Sequence, residues 1–300
     1  MADAIPIAVV TKNRTNPAYV GARQGVDRLL AGLGAVARHY VPEVPDDVDQ
    51  QVALIHQALA EEPAAILLAP CHRTRLHEAV AAIADRGVPL FEIVSEVEAS
   101  PALMFVGSDN AALGAAMAHR MAEHLGGRGR VGIVDGHPDA ETAGPRARGF
   151  RDALAAHPHI DVAFAVAGNY QRDDAEAAVR EALGRGARPD GVIVANDYMA
   201  LGVIDALDEA RLKGVPVIGA NVTPAGVALI RSGRMLASAA FDALSMGAVA
   251  AEGAVRHLRG EPVPRRVTLP AELVDPSNLD RWDRDYADRT TIGWDEAVGE

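Results

Sequence analysis

Residues Gly191–Leu207, GVIVANDYMALGVIDAL, decide how the chain is read. Val192 to Ala195 is apolar and β-branched, and too short for a helix, so it reads as a buried strand. Asn196-Asp197 is a polar break. A helix starting near Tyr198 follows, with Asp197 as its expected N-cap and Met199, Val203 and Leu207 on one face. Asn196 then stands at the carboxyl end of a parallel strand, where open α/β sheets bind ligands.

The same unit recurs on both sides of this stretch. Strands are expected at Ile5–Thr11, Ala35–Val41, Ala64–Ala69, Val88–Val94 and Leu103–Gly107. Helices are expected from Pro17 to about Ala31, at Val48–Ala60 and at Leu76–Asp85. Asn16 caps the first helix ahead of Pro17, and Gly87 stops the third. A second round follows, with helices at Ala111–Leu125, Pro145–Ala156, Asp173–Leu183 and Pro224–Ser232. Its strands are Val131–Asp135, Val162–Ala167, Val215–Ala220 and Met235–Ala240. Met246–Leu258 is a long amphipathic helix, and Arg266–Val274 is extended. This βαβα alternation implies two parallel sheets, each covered by helices on both faces. The tail beyond Val274 is dense in charge yet carries Trp282, Tyr286 and Trp294, so part of it is expected to pack on the body.

Bulk properties narrow the function classes. With 300 residues, 49% hydrophobic and 23% charged, the chain fits about two globular domains. A net charge of −12 argues against nucleic acid and against an anionic membrane surface as partners. Cys71 is the only cysteine, so no intrachain disulfide forms. No apolar run reaches transmembrane length. Met1 to Ala4 leads straight into the first strand, so the expectation is either a cytosolic protein or a secretory leader that lies outside this sequence.

Most local motifs read as architecture. Gly127–Gly132 spells GxGxxG but leaves a helix and enters a strand, the reverse of a dinucleotide fingerprint. No P-loop and no GxSxG elbow is present. Cys71, His72 and His77 lack a second cluster at zinc spacing. Asp135-Gly136-His137-Pro138-Asp139 could touch a ligand or cation, but reads first as a loop with helix-capping residues. No catalytic residue, cofactor or metal is therefore expected.

A set of polar and aromatic residues at strand ends stands apart: Asn13, Tyr19, Arg146, Tyr170, Asn196 and Asn221. Asn offers donor and acceptor to vicinal hydroxyls, Arg a fork of donors, and Tyr an apolar face with a polar tip. Together they suit a neutral, polyhydroxylated ligand in one cleft between two lobes.

Several pieces, in order, resemble a known family: Asn16-Pro17-Ala18-Tyr19, Gly107-Ser108-Asp109-Asn110, Arg146-Ala147-Arg148-Gly149-Phe150, and Asn196 through Gly202. Val217-Ile218-Gly219 with Thr223-Pro224 completes them. The span from Ile5 to about Asn278 resembles the ribose-binding branch of the type I periplasmic sugar-binding proteins, and also the ligand-binding half of lac-repressor-type regulators. Pro270 to Val274 is similar to the last crossover of those regulators.

The resemblance implies an α/β fold of two doubly wound parallel-sheet lobes joined by a three-crossover hinge. Residues 1–107 plus 242–270 would form the N-terminal lobe, 108–241 plus 271–278 the C-terminal lobe, and 279–300 a tail packed on the body. It implies Asn13, Tyr19, Ser95, Arg146, Tyr170, Asn196, Asn221 and Phe241 as ligand-binding residues. It also implies a periplasmic or extracytoplasmic monomer that hands a sugar or polyol to the membrane subunits of an ABC importer.

The chain departs from the family pattern at specific sites. Ala18-Tyr19 replaces a paired aromatic, and Ser95-Glu96 stands where Asp-Arg is common. Asn221 takes the place of an Asp, and Phe241 that of a frequent Gln. Ribose itself is thereby disfavoured against another sugar, a polyol or another small polar ligand. The competing readings are the effector domain of a lac-repressor-type regulator, which needs a helix-turn-helix segment, and an enzyme, which no catalytic constellation supports.

Overall fold

A computed structural model describes residues 4–299. Met1–Asp3, part of the stretch on which the leader reading falls, lie outside the described residues. The chain divides into two compact units. The first contains residues up to Ser108, Asp242–Leu269, and residues from Thr290 on; the second contains Asp109–Phe241 and Pro270–Arg289.

In the first unit, β1 (Ile5–Val10), α1 (Pro17–Leu33), β2 (Ala35–Tyr40), α2 (Val48–Ala60) and β3 (Ala65–Leu68) follow in order. They are succeeded by α3 (His77–Asp85), β4 (Leu90–Ile93) and β5 (Met104–Ser108). The second unit supplies α4 (Asn110–His124), β6 (Arg128–Asp135), α5 (Ala143–Ala155), β7 (His159–Ala167) and α6 (Arg172–Gly184). It continues through β8 (Gly191–Val194), α7 (Asp197–Glu209), β9 (Val217–Ala220), α8 (Pro224–Arg231) and β10 (Ala237–Ala239). Then come α9 (Ala243–Leu258) and β11 (Arg266–Leu269) of the first unit, β12 (Leu273–Val274) of the second, and α10 (Trp294–Val298).

The first sheet is parallel throughout, in the order β11-β5-β4-β3-β1-β2. The second runs β12-β10-β9-β8-β6-β7, parallel except for β12, which pairs antiparallel with β10. Central strands such as β3, β4, β8 and β9 are buried at every residue, as expected of strands covered on both faces.

Helices close on one another through glycine. A Cβ on Gly25 of α1 would overlap the carbonyl oxygen of Leu244 at the start of α9, with the carbonyl carbon only 3.0 Å away. Gly149 of α5 meets the backbone of α4 at Ala111 in the same manner.

Three expectations need correction. The extended run Arg266–Val274 is two strands in two different sheets, because Pro270 ends the pairing of β11 with β5. The edge strand β7 begins at His159 rather than Val162; Ile160 is buried there but Asp161 and Val162 are exposed, so the start carries no apolar alternation. The N-cap of α7 is Asn196, whose side chain accepts from the Met199 amide at 2.8 Å, and Asp197 is the first helical residue.

The tail divides between the units. In the second unit, the Arg289 guanidinium lies 5.6 Å from the Trp282 ring and 4.9 Å from the Tyr286 ring, and donates to Val222 O at 2.6 Å. In the first, Arg256 lies 4.8 Å from the Trp294 ring, and the Ile292 amide donates to Ser245 Oγ at 2.9 Å. Chain passages at 108/109, 241/242 and 269/270 are thus followed by a fourth at 289/290.

Candidate functional site

Parallel strands direct their carboxyl ends to one edge of each sheet, and the residues singled out from sequence lie on or just after those edges. In the first unit, Asn13 follows β1 and Ser95 follows β4, with β3 between them in the sheet. In the second, Phe241, Asn221, Asn196 and Tyr170 follow β10, β9, β8 and β7, and Arg146 lies in the helix after β6. All eight residues are buried.

Backbone strain gathers at the same edges. Of nine non-glycine residues with positive φ among the described residues, seven lie in the loops that follow strands: Asp46, Val94, Ala99, Asn169, Tyr170, Asn221 and Val222. For β-branched Val94 (φ 71°) and Val222 (φ 47°) this region costs on the order of 1–3 kcal/mol. Such strain persists where surrounding structure fixes the loop, and it clusters at ligand clamps.

The first unit's edge is organised by Asn13. Its Oδ1 accepts from the amides of Thr15 and Asn16, both at 2.8 Å, and its Nδ2 donates to Asp46 Oδ2 at 3.0 Å. Its polar atoms therefore shape the loop. Asp46 also pairs with Lys12 Nζ at 3.6 Å, and Lys12 lies 5.7 Å from the Tyr19 ring. Ser95 donates its hydroxyl to Pro70 O at 2.8 Å. Lys12 and Asp46 escaped the sequence reading. A lysine after a strand usually signals solvent, and only the fold brings Asp46 to it.

Arg146 is the centre of the second unit's edge. It is 2% exposed. Nη1 donates to Ala195 O, Nη2 donates to Asn110 Oδ1 at 2.6 Å, and the guanidinium lies 5.2 Å from the Phe241 ring. Nε has no hydrogen-bond partner. Among the described residues no carboxylate stands within ion-pair distance of Arg146. Asn196 spends Oδ1 on the cap of α7, while its buried Nδ2 has no partner. Burying donors without acceptors is costly, so two such groups beside one strand end point to a ligand that accepts. Tyr170 OH bonds Thr142 Oγ1 at 3.0 Å, and its ring fills the space that a side chain at Gly136 would need.

Asp197 belongs to the scaffold. Its Oδ2 accepts from the Thr223 amide at 2.8 Å and its Oδ1 from Ser238 Oγ at 2.7 Å, which ties α7 to β10 and to the start of α8. The remaining motifs are also structural. His72 Nδ1 accepts from the Thr74 amide at 3.1 Å, and Asp135 pairs with Arg151 at 2.7 Å. Burial pushes the Cys71 thiol up to about 12, far from a nucleophile's range.

Comparison with known proteins agrees with the fold. A family model described as a periplasmic binding protein domain matches residues 7–262. The xylitol-binding protein of Mycolicibacterium smegmatis is 28% identical over 239 residues, covering 78% of this chain and 68% of that protein. The ribose import binding protein of Bacillus subtilis is 26% identical over 271 residues, covering 90% of this chain and 86% of that one. Among solved structures, the Caulobacter myo-inositol binding protein bound to myo-inositol superposes with a TM-score of 0.86 at 24% identity, over 93% of this chain and 96% of that one. An ABC transporter periplasmic solute binding protein of Actinobacillus succinogenes with bound D-allose gives 0.87 at 24%, over 92% and 99%. These two likenesses establish the fold.

Proposed function

Because the chain belongs to the periplasmic binding protein domain family, we propose that it is the solute-binding component of an ABC importer for a sugar or polyol. The observation that carries this reading is the pair of buried, unpartnered donors at one strand edge, Arg146 Nε and Asn196 Nδ2, framed by the Phe241 ring. Asn221 adds an amide that can both donate and accept, and the Tyr19 ring offers an apolar face. These groups bind and orient. None is set as a nucleophile with an adjacent base, so capture and delivery, rather than conversion, is the proposed activity. The names of the relatives support the ligand class, since they bind xylitol and ribose.

The proposal includes a monomeric protein and a periplasmic or extracytoplasmic location. Its partners would be the importer's membrane subunits. Among the described residues no helix is long and apolar enough to cross a membrane.

Thermal unfolding of the full chain against pentoses, hexoses, polyols and their derivatives tests the reading. A ligand present at 100 times its Kd stabilises the native state by about 2.7 kcal/mol and raises the midpoint accordingly. At least one compound is expected to do so. A flat response across the whole panel would overturn the assignment.

A further inference from the structure

We infer that the ligand carries an acidic group, as a sugar acid does, and that Arg146 is the residue that selects for it. The inference rests on the sugar-binding reading above and narrows its ligand class. It follows from a count of donors, acceptors and charges at the second unit's strand edge. The Arg146 guanidinium is 2% exposed and is satisfied only by neutral groups: the Ala195 carbonyl, the Asn110 side-chain oxygen and the Phe241 ring. Buried charges are ordinarily paired, and an uncompensated one is strongly unfavourable.

Asp197 does not supply the missing charge. It is committed to Thr223 and Ser238 on the scaffold side.

The hydrogen-bond count runs the same way. Arg146 Nε and Asn196 Nδ2 are donors without acceptors. A hydroxyl that accepts from them brings a proton of its own, which needs an acceptor in turn. A carboxylate brings acceptors alone, two oxygens with about four lone-pair positions, together with the charge that Arg146 lacks.

The test compares matched pairs on the full chain by calorimetry at pH 7, where a sugar acid is ionised: D-gluconate with D-glucitol, D-galactonate with galactitol, D-xylonate with xylitol, and D-glucuronate with D-glucose. The expected result is that in the pair that binds, the acid binds at least tenfold tighter than its neutral partner. Arg146→Gln is expected to bring that ratio close to one, and Arg146→Lys to retain a preference for the acid. A neutral compound bound as tightly as its matched acid, or more tightly, or a neutral compound of the wider panel bound while no acid binds, would overturn the inference while leaving the sugar-binding reading in place. Silence from both members of every pair, and from the wider panel, would overturn both. The wild-type ratio needs no variant, so it decides the matter even if Arg146→Gln does not fold.

Discussion

Glu92 offers a sharp test of the buried chemistry in the first unit. It sits in the middle of the first sheet on β4 and is 1% exposed. Its Oε1 accepts from the Val97 amide at 3.2 Å, and its Oε2 has no partner. Burial is the main cause that raises its carboxyl from 4.5 to about 7, opposed by hydrogen bonds from Val97 and Ser100. The native state thus holds a proton that the unfolded chain releases between those values. Stability from this group is complete below about pH 4.5 and is lost as pH rises through about 7. At about 1.4 kcal/mol for each pH unit, the displacement amounts to about 3 kcal/mol, an upper value because the surroundings relax around the charge.

Glu92→Gln removes the titration while keeping an acceptor for the Val97 amide. Its new NH2 group lacks an acceptor and costs about 1–3 kcal/mol, but that cost does not vary with pH. Urea unfolding of both proteins at pH 5 and pH 8 should therefore show the stability difference moving in favour of the variant by about 2–3 kcal/mol on going to pH 8. A difference that stays constant within about 0.5 kcal/mol would refute the assignment. So would one that moves the opposite way.

Two further outcomes follow from packing. Gly25→Ala places a methyl group against the Leu244 carbonyl, which is backbone and cannot rotate away; a loss of about 2–3 kcal/mol in denaturant unfolding is expected, against near neutrality for Gly32→Ala, which meets nothing within 4 Å. Arg289→Ala removes the bond to Val222 O and the contacts with the Trp282 and Tyr286 rings; it should cost about 2 kcal/mol and expose Trp282, read as a red shift and greater quenching of tryptophan emission.

The strand and helix alternation was legible because the central strands are short β-branched runs bounded by caps and glycines, a pattern set locally. What escaped depends on partners far away in the chain. Asp197 looks like a cap beside Asn196, and the choice falls to Asn196 because Asp197 finds Ser238, 41 residues on. Asn196 reads from sequence as a strand-end residue suited to a ligand; its Oδ1 caps α7, so its loss costs about 1 kcal/mol of stability in addition to any effect on binding. Likewise, Arg146 was readable as a strand-end cation, but its pairing with Asn110, 36 residues earlier, was not. The split of Arg266–Val274 was hidden because sheet membership is decided by β5 and β10, not by the segment itself.

The interleaving of the two units bears on how the protein is made. Everything from α4 to β10 is contiguous, so the second unit can close almost completely as soon as residue 241 has left the ribosome. The first unit begins earlier and finishes later. Its β5 waits for β11, with 161 residues between Ser108 and the carbonyl of Leu269 that its hydroxyl meets, and α1 waits for α9 to cover Gly25. During synthesis, the half translated first is the half left with a bare sheet edge and an uncovered helix, and long-range closures of this kind are slow. Newly emerging chains therefore need protection at their beginning rather than at their end.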